Sequence, residues 1–254
     1  MSNIRLIPRL DIKGEYLIKG IRFEGLRKVG DPFEFAEKYY NDGADEIIYM
    51  DTVATLYGRN SLFDMVKKTT KNIFIPITVG GGIKNLSDVE IALRSGAEKV
   101  AINTAAIKKR DLINDIAKTF GSQCLVISIE AKKISSNKWE VYVENGRQKT
   151  GIDIMDWVKQ IENEGAGEIL LTSVDNEGTC DGYDIDLIKN VSDSSGIPLI
   201  ASGGMGTNNH GVQAIKEGNA DAIAMANILH YSKSNLQEIR KHFIQQDIKV
   251  REYA

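Results

Sequence analysis

The chain has little of what staples a small or secreted protein together. Its 254 residues include only 2 Cys, 3 His and 4 Pro. Two lone cysteines, Cys124 and Cys180, do not make a disulfide framework, which suits a reducing compartment. Three scattered histidines leave little room for a His-rich metal site, and neither a metal nor another cofactor is expected. No apolar run approaches the ~18 residues of a membrane span. The start, Met1-Ser2-Asn3-Ile4-Arg5, carries no long apolar stretch of an export signal, so a cytoplasmic location is expected. With 32 Lys and Arg against 35 Asp and Glu, the formal net charge is -3. The basic surplus of a nucleic-acid binder is absent. Acid–base chemistry therefore falls to carboxylates.

What is present is length and periodicity. A chain of this size buries ~75% of its unfolded surface and needs no staple. Short apolar runs at 4–11, 46–51, 74–79, 99–103, 125–130, 168–173, 198–202 and 221–226 read as strands. Several are apolar on both faces, as parallel strands covered on both sides should be. Helical stretches lie between them, at 32–41, 86–94, 112–119, 154–164, 185–191 and 211–216. Asp31 stands as an N-cap before Pro32. Residues 235–252 read as a last helix and tail. Eight units of about 32 residues match the βαβ repeat and predict a closed (β/α)8 TIM barrel, one domain over 1–254, with an open doubly wound sheet as the competitor.

The two halves look alike. Gly43-Ala44-Asp45-Glu46 recurs as Gly165-Ala166-Gly167-Glu168, and Val79-Gly80-Gly81-Gly82 as Ser202-Gly203-Gly204-Met205. Gly96-Ala97-Glu98 is echoed by Asn219-Ala220-Asp221, and the stretch around Asp11 by that around Glu130. Four such pairs in one order predict a fourfold-plus-fourfold internal duplication. Two stretches break the spacing. Residues 12–30 form a long glycine-bearing loop after the first strand. Residues 131–151 follow the fifth and contain Asn145-Gly146, a hairpin turn signal. In a barrel both lie on the active face.

Asp11 and Glu130 end the first and fifth strands, which face each other across a barrel mouth. Two opposed carboxylates can accept and deliver protons if their environments separate their pKa values. The bland alternative is pairing with Lys13 or Lys132. The glycine clusters at 80–82 and 203–204 end the third and seventh strands, where backbone N–H groups can approach an anion. Each is followed one strand later by a polar strand end, Asn103-Thr104 and Asn227. This predicts two phosphate sites on opposite sides of the mouth, for a substrate with a phosphate at each end. At the other end, Arg5, Glu46, Lys99 and Glu168 begin strands one, two, four and six. Sequence parity leaves open whether they form an inward neutral ring or point out among the helices.

Together these residues resemble the HisF family, the cyclase subunit of imidazole glycerol phosphate synthase. The resemblance runs over roughly 4–250 and is carried by Thr78-Val79-Gly80-Gly81-Gly82-Ile83, Ile102-Asn103-Thr104-Ala105-Ala106, Gly165-Ala166-Gly167-Glu168-Ile169-Leu170-Leu171-Thr172-Ser173 and Ala201-Ser202-Gly203-Gly204, among others. It implies an ammonia-using barrel with a HisH-like glutaminase docked below as heterodimer partner. Arg5, Glu46, Lys99 and Glu168 match the family's salt-bridged ammonia gate, which makes the inward ring the preferred reading. Asp11 matches the catalytic base and Glu130 takes the acid position. Lys19 matches a substrate-contacting lysine. Gly82, Asn103 and Thr104 match one phosphate site, and Gly203 and Gly204 part of the other. Gly81, Thr172, Glu177, Ser202 and Asn227 complete the candidate substrate-binding set.

The sequence also departs from the family. Glu130 and Glu177 replace aspartates, Arg9 replaces a cysteine, and Ile21-Arg22 and Leu56-Tyr57-Gly58-Arg59-Asn60 differ. These departures resemble a group of HisF-like paralogues of surface-polysaccharide pathways, in which ammonia would amidinate a nucleotide-linked sugar. A non-catalytic activator of the glutaminase is an alternative of another class. A sugar-phosphate isomerase of the related barrel is a third, disfavoured by the four-charge floor.

Overall fold

A computed structural model describes residues 3–53 and 61–252. The loop departures at 56–60 lie outside them. Eight parallel strands close a barrel: β1 (Arg5–Lys13), β4 (Ile47–Asp51), β5 (Ile77–Gly80), β6 (Lys99–Ile102), β7 (Leu125–Ser135), β10 (Glu168–Ser173), β11 (Leu199–Ser202) and β12 (Ala222–Met225), with β12 pairing back to β1. Helices α1 (Pro32–Asn41), α2 (Ser61–Thr69), α3 (Leu86–Arg94), α4 (Thr104–Lys108), α5 (Asp111–Phe120), α6 (Ile154–Asn163), α7 (Ile185–Ser192), α8 (Asn208–Lys216), α9 (Asn227–His230) and α10 (Leu236–Gln245) follow the strands. The (β/α)8 architecture is the expected one. Among the described residues, no helix is long and apolar enough to cross a membrane.

The helix starts follow from local capping. The Asp31 carboxylate accepts from the backbone N–H groups of Phe33 and Glu34, with Pro32 in the first turn. Asn85 caps α3 by accepting from Asp88 N–H at 3.0 Å. Such caps satisfy donors that the first turn leaves free.

Strand alternation divides the core in two. Leu6, Leu10, Ile47, Val79, Leu125 and Ile169 point outward into the larger cluster beneath the helices. Ile7, Ile48, Ala101, Val126, Leu170, Ile200, Ala222 and Ala224 point inward and fill the barrel interior. Inward residues therefore share one parity per strand. On β1 that parity holds Arg5, Ile7, Arg9 and Asp11, in order from floor to mouth.

Three sequence expectations change. The run 74–79 starts its strand only at Ile77, and Phe74 is 77% exposed below the barrel. The duplication is displaced by one residue at the glycines. Gly81 and Gly82 (φ 97° and 74°) correspond to Gly203 and Gly204 (φ 93° and 110°), whereas Gly80 is the last residue of β5. The loop 12–30 is a hairpin, β2 (Tyr16–Ile21) with β3 (Glu24–Gly30), that extends β1. Its counterpart in the second half is β8 (Lys138–Val143) with β9 (Gln148–Asp153), extending β7. That second hairpin was announced by Asn145-Gly146, at φ 58° and 70°. The tip of the first is Arg22-Phe23, at φ 54° and 61°. This left-handed pair is normally filled by Asn-Gly, so composition does not announce it.

Candidate active site

The first hairpin lies over the mouth. Arg22 N–H donates to the Glu177 carbonyl at 2.7 Å, and its Nε to the Asp175 carbonyl at 3.0 Å. Phe23 is buried, with its ring centroid 5.6 Å from the Arg9 guanidinium. Beneath this cover stand two carboxyls with different surroundings.

Asp11 is buried between two cations. Arg9 Nε donates to its Oδ1 at 2.9 Å, and Lys19 Nζ to its Oδ2 at 3.3 Å. Lys19 also pairs with Glu177. Burial pushes the Asp11 carboxyl up, but the charges of Arg9 and then Lys19 outweigh it and hold Asp11 below the usual carboxylate range. Glu130, on β7, is equally buried, and among the described residues its hydrogen-bond partners, the Gly146 backbone and the Asn103 side chain, are neutral. Its Oε2 accepts from Gly146 N–H at 2.8 Å. Burial dominates there and pushes Glu130 up to about 7. One carboxyl is thus kept charged and the other is poised to carry a proton near neutrality.

The glycine clusters form two cavities on either side of this centre. One, of about 310 Å³, is lined by Gly81, Gly82, Asn103, Thr104, Glu130 and Lys108, among others. The other, of about 20 Å³, is lined by Lys19, Glu177, Ser202, Gly203, Gly204 and Asn227. A Cβ on Gly81 would stand 2.2 Å from the Asp51 carbonyl oxygen, and one on Gly204 1.9 Å from that of Gly182. Only glycine fits either turn, which leaves the loop backbone bare toward the cavity. Thr172 and Ser202 face inward, and both hydroxyls accept from Arg9 Nη1, at 2.9 and 3.1 Å. The expected substrate-binding residues therefore gather around the mouth, with Thr172 and Ser202 engaged by Arg9.

The floor residues point inward. Glu46 accepts from Arg5 at 2.8 Å and from Lys99 at 3.0 Å. Glu168 accepts from Lys99 at 2.8 Å and also from Arg5, which closes a four-membered ring. Thr78 donates its hydroxyl to the other Glu46 oxygen. The inward apolar layer separates this ring from Arg9 and Asp11.

Sequence reasoning missed the part played by Gly146, sixteen residues from the carboxylate it meets. It also passed over His230, which packs beside Tyr39 with Nδ1 2.6 Å from the phenol oxygen. Burial pushes His230 down to about 3, so it is neutral at pH 7. Among the described residues, no three His, Cys, Asp or Glu are grouped to hold a metal ion.

A closed (β/α)8 barrel with two unequal acids and paired glycine turns at its mouth defines the class: the chain matches the family model "Histidine biosynthesis protein" over residues 5–235. Within that class, the relatives are consistent. "Imidazole glycerol phosphate synthase subunit HisF" of Legionella pneumophila is 63% identical over 206 residues, 81% of this chain and 97% of the relative. The protein of that name from Methanopyrus kandleri is 44% identical, covering 98% of each chain. That of Bacillus cereus strain G9842 is 45% identical, covering 97% of this chain and 98% of its own. The chain belongs to the HisF family.

Proposed function

We propose that this protein is the cyclase subunit of imidazole glycerol phosphate synthase. It would take ammonia from a HisH-like glutaminase docked below the barrel and use it on phosphoribulosyl-formimino-AICAR ribonucleotide, giving imidazole glycerol phosphate and AICAR. The observation that carries the reading is the unequal pair at the mouth, Asp11 held charged and Glu130 raised to about 7. Ammonia adds to the carbonyl carbon, whose oxygen leaves as water, and the new nitrogen attacks the formimino carbon, whose bond to the AICAR nitrogen breaks. These steps require a base to take protons from nitrogen and an acid to protonate the departing oxygen and nitrogen. Asp11 supplies the first role and Glu130 the second. The larger cavity accepts one terminal phosphate, the smaller, at about 20 Å³, must widen to accept the other, and Lys19 contacts the substrate between them. The floor ring admits ammonia when its ion pairs part, and the apolar layer above favours the neutral molecule over ammonium.

The test is direct. Pure protein is incubated with that substrate and a high concentration of ammonium salt at pH 7 to 8, where Glu130 still holds a proton in part and some free ammonia is present, without a glutaminase, and AICAR release is followed. Turnover is expected. Its absence, with the protein folded, ends the histidine-pathway assignment. A complex with the glutaminase in that event favours the paralogue reading, in which the same ammonia reaches a nucleotide-linked sugar.

A further inference from the structure

Arg9 is an unusual occupant of a barrel mouth. It is 3% exposed, carries a permanent charge, and sits above the apolar cluster of the barrel interior. Its neighbours on β1 two residues either way, Ile7 and Asp11, share its inward face. The guanidinium reaches across the interior, touching Asp11 through Nε and Thr172 on β10 and Ser202 on β11 through Nη1. Phe23 covers it from above.

We infer that Arg9 is a positioning residue: its guanidinium ties the Asp11 carboxylate to Thr172 on β10 and Ser202 on β11, and so holds the base charged and fixed in place. Lys19 cannot do this alone. Its contact with Asp11 is the longer one, it is shared with Glu177, and it rides on β2 of the covering hairpin. The cavity beside Asp11 is about 10 Å³, roughly the room of one water. A substrate entering toward Asp11 therefore requires the hairpin to shift, and Lys19 shifts with it before it can contact the bound substrate. Arg9 belongs to the barrel strand itself and stays. Its planar fork binds a carboxylate and two hydroxyls at once, whereas a lysine ammonium acts as a single point charge.

The surrounding charges agree with this division. Asp11 faces Arg9 on β1, Lys19 on β2, Glu130 on β7, Glu177 after β10 and the neutral His230 on α9. After burial, Arg9 is the largest influence on Asp11. Arg9 also lowers Glu130, through space and less strongly than burial raises it. Removing the charge should thus move both groups the same way.

The experiment titrates ¹³C-carboxyl-labelled wild type, Arg9→Gln and Arg9→Lys by NMR, alongside pH profiles of ammonium-driven turnover. The profiles rest on the proposed function; the titrations do not, so failure of the reaction and failure of this inference are separable. In Arg9→Gln, both carboxyl midpoints and both limbs of the profile should move to higher pH by about one unit or more. Arg9→Lys should return the midpoints toward wild type but leave kcat about tenfold to a hundredfold low, with KM little changed, because the bridge is lost. An Asp11 midpoint unmoved by Arg9→Gln overturns the inference. Should Arg9→Gln fail to fold, Arg9→Lys alone decides: wild-type kcat in that variant shows the bridge to Thr172 and Ser202 to be idle.

Discussion

Replacing Glu130 by Gln should make the protein more stable while disabling it. Burial raises the Glu130 carboxyl from an ordinary 4.5 to about 7. In the folded state the group holds its proton until pH approaches 7, whereas the unfolded chain releases it near 4.5. Between these values the folded state binds more protons, so stability falls as pH rises through the window and the loss is complete above it. A shift of roughly 2.5 units at ~1.36 kcal/mol each gives about 3 kcal/mol, with no solvent discount because the group is fully buried. Gln keeps an oxygen to accept from Gly146 N–H and has no charge to bury. Urea denaturation of both proteins between pH 4.5 and 8.5 isolates the effect, since Asp11, held below the usual carboxylate range, stays charged throughout and the contribution of His230 cancels in the difference. The variant's advantage should grow by about 3 kcal/mol from pH 4.5 to 8, or roughly 6–12 °C in Tm for a chain of this size. A difference that stays flat across that range would refute the argument that Glu130 is desolvated without adequate compensation.

Two further outcomes follow from the same geometry. Asp11→Asn should lower ammonium-driven turnover by at least ~10²-fold while a pull-down still recovers the glutaminase complex; undiminished product formation would instead support a non-catalytic activator. Lys99→Met leaves Arg5 as the one cation of the floor ring, so glutamine hydrolysis should outrun product formation while ammonium-driven turnover persists. An unchanged ratio of glutamate to product would remove the floor ring from ammonia transfer.

The parts legible in the sequence were those written in local chemistry. Asp31-Pro32 marked the start of α1, and Asn145-Gly146 marked a turn whose left-handed backbone the structure shows. The apolar runs stop at Asp11 and Glu130, where the barrel wall ends, although β1 continues to Lys13 and β7 to Ser135 to pair with the hairpins. The floor ring was undecided from parity, because Arg5, Glu46, Lys99 and Glu168 meet across 41 to 163 residues of chain and only barrel closure joins them. Arg9 was visible as a departure, and its i,i+2 relation to Asp11 was a usable signal. Its reach to Thr172 and Ser202 depends on the barrel's width, which no local pattern encodes. The hairpin over the mouth stayed hidden because Arg22-Phe23 carries no turn chemistry of its own.

That tip works as a loaded spring. Two non-glycine residues in left-handed geometry each cost on the order of 1–3 kcal/mol, and that load is carried by the Ile21–Glu24 pairing of the hairpin's own ladder together with Arg22 to the 175–177 backbone and buried Phe23. An Asn-Gly tip would relax the turn but lose the contacts that seal water from Asp11, so the tension is the cost of the seal.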